Sequence, residues 1–260
     1  MPTTIKITKR KKFKTPAMII GLPGIGLVGK IAADYILKNR KGEKVGMIYS
    51  DSFPPSVQTT GGMLELICDE IVHVRASRDL LFVVGPVQPS LDMRASSGKD
   101  HYEFADAIIK AAKDLGVREI FTLAGINIGD KRIVGKPNIV IAGTSKGLIA
   151  RLKKTGKVKT EENGFISGAA GLVLGLAKEQ GIDGACIMGE TNARLIYGDH
   201  GAAKAVVEYI AKMFGMTIEM GRIEKESKKI EEAFNQLTKE LADKTKKSIP
   251  EKESSPTYVR

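Results

Sequence analysis

Apolar residues along the chain come in two rhythms. Runs at Ala17 to Ile20, Val45 to Tyr49, Leu80 to Val84, Val117 to Leu123, Asn138 to Gly143 and Ala185 to Met188 predict strands, and the unbroken Leu80-Leu81-Phe82-Val83-Val84 suits one covered on both faces. Helical spacing predicts helices over Leu27 to Leu37, Asp100 to Leu115, Ser145 to Lys153, Gly164 to Gln180 and His200 to Phe214. Ile5 and Ile7 alternate with polar neighbours as an edge strand would. Gly61-Gly62 opens a meander through Met63 to Cys68, Ile71 to Arg75 and Leu80 to Val84, which interrupts the strand–helix alternation. Gly168, Gly171 and Gly175 give the helix predicted over Gly164 to Gln180 a small face for close backbone approach.

From Gly221 the pattern changes. Ile223, Ile230, Phe234, Leu237 and Leu241 stand among Lys and Glu at intervals that predict an amphipathic helix over 221–247. The tail from Ser248 is too poor in apolar residues to order itself, yet it ends in Thr257-Tyr258-Val259-Arg260. No repeat or linker divides residues 1–220, so the expected organisation is one α/β core domain (1–220), a helix (221–247) and a flexible tail (248–260).

The stretch Gly21-Leu22-Pro23-Gly24-Ile25-Gly26-Leu27-Val28-Gly29-Lys30 joins the first strand to the first helix. Unpaired N–H groups and the helix dipole favour an anion there, and two nucleotide motifs overlap in it. Gly24-x-Gly26-x-x-Gly29 has the spacing of a dinucleotide loop, with Asp51 about twenty residues on for the ribose. Gly24-x4-Gly29-Lys30 has most of a triphosphate loop, but Ile31 replaces the hydroxyl that would hold Mg²⁺. The competing reading is steric: Gly24, Gly26 and Gly29 allow a sharp turn and close helix–sheet packing.

Other chemistry is sparse. His73, His101 and His200 sit in no motif, His73 being expected on the polar face of its strand. Glu190 stands at a strand end without an evident partner. Cys68 and Cys186 lack metal-ligand spacing and read as buried small residues, and no metal or cofactor is expected. The formal charge of +11 is spread over both termini and the loops without interleaved aromatic residues, which argues against nucleic acid as a partner. Abundant Lys and Glu fit a heat-adapted source. No apolar run reaches the roughly 18–20 residues of a membrane span, so a soluble, cytoplasmic protein is expected.

Taken in order, Gly21 to Lys30, Phe53-Pro54-Pro55, Val84-Gly85-Pro86-Val87-Gln88-Pro89, Leu123-Ala124-Gly125-Ile126, Ile166 to Leu172 and Met188-Gly189-Glu190-Thr191 resemble the proteasome assembly chaperone family in its archaeal branch. The resemblance spans about residues 15–220. It implies a three-layer α/β/α sandwich with a mixed, mostly parallel sheet related to the nucleoside phosphorylase fold. It also implies homo-oligomers and a non-catalytic role with the α subunits of the 20S proteasome core. Family members can dock through a C-terminal hydrophobic-tyrosine-any tripeptide. Here the last residues are Tyr258, Val259 and Arg260, with the tyrosine displaced by one residue, about 3.3 Å of extended chain. An enzyme or nucleotide-binding protein using Gly24 to Lys30, and a self-assembling scaffold without a proteasome contact, are the alternatives.

Overall fold

The computed structural model describes residues 2–9, 11–90, 97–129, 131–134, 136–195 and 197–225. In chain order the strands are β1 (Thr4–Ile7), β2 (Ala17–Gly21), β3 (Glu43–Tyr49), β4 (Val57–Thr60), β5 (Met63–Leu66), β6 (Asp69–Arg75), β7 (Asp79–Val84), β8 (Glu119–Asn127), β9 (Ile139–Gly143), β10 (Val158–Thr160) and β11 (Asp183–Thr191). The helices are α1 (Val28–Arg40), α2 (Gly98–Asp114), α3 (Lys131–Val134), α4 (Lys146–Thr155), α5 (Ala169–Glu179) and α6 (His200–Met213).

Nine strands form one sheet in the order β1-β3-β6-β7-β2-β8-β11-β9-β10. Its centre, β7-β2-β8-β11, is parallel, as the continuous apolar runs require. The meander contributes antiparallel pairs on one side, and β9 runs antiparallel to β11 on the other. Parallel pairing therefore dominates the centre and not the flanks. Helices α1, α4 and α6 cover one face, with Val28, Ala32, Leu148, Val206 and Ile210 against Phe82, Phe121 and Ile187. Helices α2 and α5 cover the other, with Phe104, Ile108 and Val173 against Met18, Leu81 and Cys186. This is a mixed α/β fold of three layers.

Local chemistry explains the element ends. Ser97 and Asp100 form a capping box at the start of α2, and Gly116 leaves that helix with φ +75°. Ser145 caps α4 and Asp199 caps α6. Phe53, immediately before Pro54-Pro55, is buried and packs edge-on against Phe104 with ring centroids 5.8 Å apart, so this loop is anchored.

Three expectations change. The helix predicted from Gly164 begins at Ala169, because Gly168 takes φ +71°, and residues 164–167 form a loop whose Ile166 carbonyl lies against Gly171. His73 is buried beside Phe13, with Nε2 at 2.8 Å from Asp79. Strands β4 and β10 are short additions: β10 extends one edge of the sheet, while β4 and β5 form a separate hairpin that does not join it. Backbone at 221–225 is helical, and Ile223 is fully buried. Tyr35 Oη donates to Glu219 O at 2.6 Å and accepts from Ile223 N at 3.3 Å. Ile230, Phe234, Leu237, Leu241 and the tail with Tyr258, Val259 and Arg260 lie outside the described residues.

Candidate functional site: the crevice at the carboxyl ends of the central strands

Strand β2 connects onward through α1 to one half of the sheet, and β8 leads into the other half. Their carboxyl ends therefore flank the point where the strand order reverses, the usual place for a ligand crevice in open α/β sheets. A cavity of about 350 Å³ opens there, between the Leu22–Ile25 turn, residues 123–127 and the 161–167 loop.

The glycine turn is shaped by neighbours on both sides. Gly26 and Leu27 both adopt left-handed backbone, φ +61° and +49°, in a one-turn 3₁₀ helix that delivers the chain into α1. A Cβ at Gly26 would lie 2.5 Å from Thr191 Oγ1, and one at Gly29 would collide with the Leu123 carbonyl. Gly21 faces Ala33 just as closely, and Gly125 faces the Ile25 carbonyl. Protein atoms thus fill the space beside Gly26 and Gly29. Gly24 is different: its backbone is extended and nothing stands within 4 Å of its Cβ position.

Two side chains tie this turn to the rest of the crevice. Gln88 Nε2 donates to Pro23 O, while its Oε1 accepts from Ala169 N at 3.1 Å, linking the glycine turn to the start of α5. Asp199 binds Arg132 through two hydrogen bonds of 2.8 and 2.7 Å. It also accepts from Thr191 Oγ1 at 2.9 Å and from Ala202 N at 2.9 Å, and its own N–H donates to Gly26 O at 2.8 Å. Gln88 lies in one of the motifs that carry the family resemblance, whereas no sequence pattern singled out Asp199, and the role of each comes from joining segments far apart in the chain.

The cavity wall is mainly apolar, with Leu22, Ile25, Ile126, Ile166 and Met188, and the ring of Phe165 stands fully exposed at its rim. Glu161 is the one ionisable residue lining it among the described residues. Gln88 is already engaged, and Asn127 Oδ1 accepts from Gly129 N and Ala193 N. Ser167 adds a hydroxyl to this mainly apolar wall, and the arrangement suits binding of apolar groups.

The other residues of the nucleotide readings are dispersed. Lys30 Nζ binds Asp34 at 2.8 Å and lines a different groove with Tyr49, Lys44 and Glu70. Asp51 follows β3, and β6 and β7 separate β3 from β2, about 14 Å across three strand spacings. In a dinucleotide fold those two strands would be neighbours. Glu190 has partners that its sequence context did not show: Lys159 Nζ at 2.6 Å and Asn138 Nδ2 at 2.6 Å. Burial alone would raise its carboxyl, but Lys159 and Asn138 together hold it below the ordinary range. Cys186 is buried, and burial pushes its thiol up to about 11, leaving it inert. Among the described residues, no group of three or more His, Cys, Asp or Glu could hold a metal, and no helix is long and apolar enough to cross a membrane.

Fold and crevice together define a three-layer α/β protein with a binding crevice at its topological switch point. Residues 18–238 match the PAC2 family, and the chain belongs to that family, as the motif resemblance implied. An uncharacterized protein of Methanocaldococcus jannaschii is 34% identical over 91% of this chain and 88% of its own length. Among solved structures, Pyrococcus furiosus PbaB, an archaeal proteasome activator, superposes with a TM-score of 0.82 at 31% identity, covering 91% of this chain and 99% of that one. Pyrococcus furiosus PbaA, an archaeal homolog of proteasome-assembly chaperone, shares the fold with a TM-score of 0.72 at 24% identity, covering 95% and 96%.

Proposed function

We propose that this protein is a non-catalytic, cytoplasmic, proteasome-associated chaperone of heat-adapted archaeal type, which self-assembles and binds the 20S core. The observation that carries this reading is the PAC2 match over residues 18–238, joined to the likeness with PbaB over nearly the whole of both chains. The mainly apolar crevice supports a binding role. In this reading Gly26 and Gly29 serve close packing of the strand–helix turn, with Gly24 and Lys30 beside them, and Tyr258, Val259 and Arg260 contact the α subunits of the core. Deleting those three residues is expected to weaken co-elution with the 20S core. Undiminished association would remove the tail from the mechanism while leaving the body as the contact.

A second reading, nucleotide or anion binding at the glycine turn, is favoured by the crevice's place at the switch point. Titration calorimetry with a panel of nucleotides decides between the two. No heat is expected, and a micromolar signal lost in Gly24→Phe, which places a ring in the open space of the crevice, would replace the first reading with the second.

A further inference from the structure

The hairpin β4–β5 stands apart from everything else in the molecule. Its turn is Gly61-Gly62, with φ +57° and +82°, the two-residue left-handed turn that matches strand twist. Every residue from Pro54 to Leu66 is exposed. Pairing sets Val57 opposite Leu66 and Thr59 opposite Leu64, so these four share one face, while Gln58, Glu65, Thr60 and Met63 share the other. Gln58 and Glu65 border the groove against β3, together with Leu66 at the base of the hairpin. On the first of these faces Val57, Leu64 and Leu66 are 52%, 70% and 61% exposed, an apolar patch of roughly 300 Å², at the lower end of functional patches, while Met63 is 70% exposed on the other face. A two-stranded hairpin with its apolar face in water is marginal by itself, since such ribbons need a third strand or a packed face. The exposure therefore calls for a covering surface.

Charge identifies what covers it. Between Lys44 and Arg75 the chain contains none of its 41 lysines and arginines but four of its 30 acidic residues, Asp51, Glu65, Asp69 and Glu70. Asp69 is fully buried and Glu70 is ion-paired with Lys44, so Asp51 and Glu65 carry the acidic character of this segment, while the remainder of the chain is formally +15. Two copies meeting through their basic surfaces repel each other. A hairpin without a cation, set on the basic surface of another copy, does not, and it gains both apolar burial and charge complementarity. We infer that the β4–β5 hairpin is the surface by which one copy of this chain seats on a second, hairpin against a site outside residues 45–74. Such a head-to-tail contact is heterologous and closes into a ring when its rotation permits. A patch of this size supplies less than half of the ~800 Å² that each partner contributes to a standard interface, so the hairpin acts as the apolar centre of a larger contact.

This inference rests on the self-assembly part of the proposed function, and light scattering separates the two. Wild-type protein is expected at a multiple of 28.1 kDa. The double variant Leu64→Arg/Leu66→Arg is expected at the monomer mass, with an unchanged circular dichroism spectrum and unfolding temperature, because no core side chain is touched. A monomeric wild type would overturn self-assembly and this inference with it. An oligomeric wild type whose variant keeps the same mass would overturn only the hairpin assignment. Should the variant misfold, the second test is a photo-reactive benzoylphenylalanine in place of Thr59 in mixed isotope-labelled copies. Cross-links to residues outside 45–74 of another copy are expected. Links hairpin to hairpin, or only to a 20S subunit in a mixture with the core, overturn it.

Discussion

Gly29 and Gly24 stand five residues apart in one motif and face opposite environments. A Cβ at Gly29 would collide with the Leu123 carbonyl, a backbone atom that cannot swing away, whereas Gly24 faces open space with extended backbone that any residue adopts. Gly29→Ala is therefore expected to cost about 3 kcal/mol of unfolding free energy, the upper end of overpacking effects. Gly24→Ala should be neutral or stabilise by up to ~1 kcal/mol through the unfolded chain. Urea unfolding of the two variants tests the contrast, and equal losses would contradict it.

Asp69 makes a second prediction at this scale. Its carboxyl is fully buried where β6 meets the residues after β7, and neither oxygen has a partner at hydrogen-bonding geometry. Burial pushes its pKa well above the ordinary carboxylate value, and the Val87 N–H offsets that only in part. The folded state thus keeps a proton that the unfolded chain releases above about pH 4. Stability from this group is complete below that pH and falls as pH rises toward the folded value, by at most about 1.4 kcal/mol per pH unit. Asp69→Asn keeps the shape without the titration. Its stability relative to wild type should grow with pH from 4 to 8, and parallel profiles would refute the assignment.

At the scale of elements, the ends of β11, α3, α6 and the glycine turn meet on Asp199. Breaking a buried, bidentate ion pair leaves a charge without compensation, so Arg132→Met is expected to cost about 3–5 kcal/mol in denaturant unfolding. Lys204 with Glu208, an exposed i,i+4 pair on α6, serves as the control: Glu208→Ala should cost less than ~0.5 kcal/mol. Ile223 marks where the core ends in the sequence. It is fully buried beside Tyr35, so Ile223→Ala should cost about 2–4 kcal/mol, although it lies past α6 in what reads as the start of a separate helix. A smaller loss would show that the segment after Met216 is not integral to the core.

The central strands and most helices were legible because burial on both faces demands unbroken apolar runs and burial on one face demands helical spacing. Strand β4 was not: Val57-Gln58-Thr59-Thr60 has one large apolar residue, and only the Gly61-Gly62 turn signals a partner strand. Strand β10, three residues at a sheet edge, is too short to carry a period. His73 was misplaced because strand alternation assigns a face without saying which face is covered; here Phe13 comes from a distant segment to bury it.

Across the whole molecule, net charge and its distribution pull apart. The sequence totals +11, but residues 45–74 contain no lysine or arginine, and the fold gathers that segment at one side of the sheet in β3, β6 and the projecting hairpin. A basic chain thus acquires a pole of different character, which only the sheet order β1-β3-β6-β7-β2 makes visible. The sequence by itself determined the element types and the strand–glycine–helix turn, because these depend on periodicity and on local backbone chemistry, and the order of its motifs carried the family resemblance. The tertiary structure alone decided that Lys30 and Asp51 stand away from the crevice, that Gln88 and Asp199 hold it together, and that the hairpin faces solvent. Strand order and long-range contacts set those distances, and a linear pattern does not encode which distant segments become neighbours.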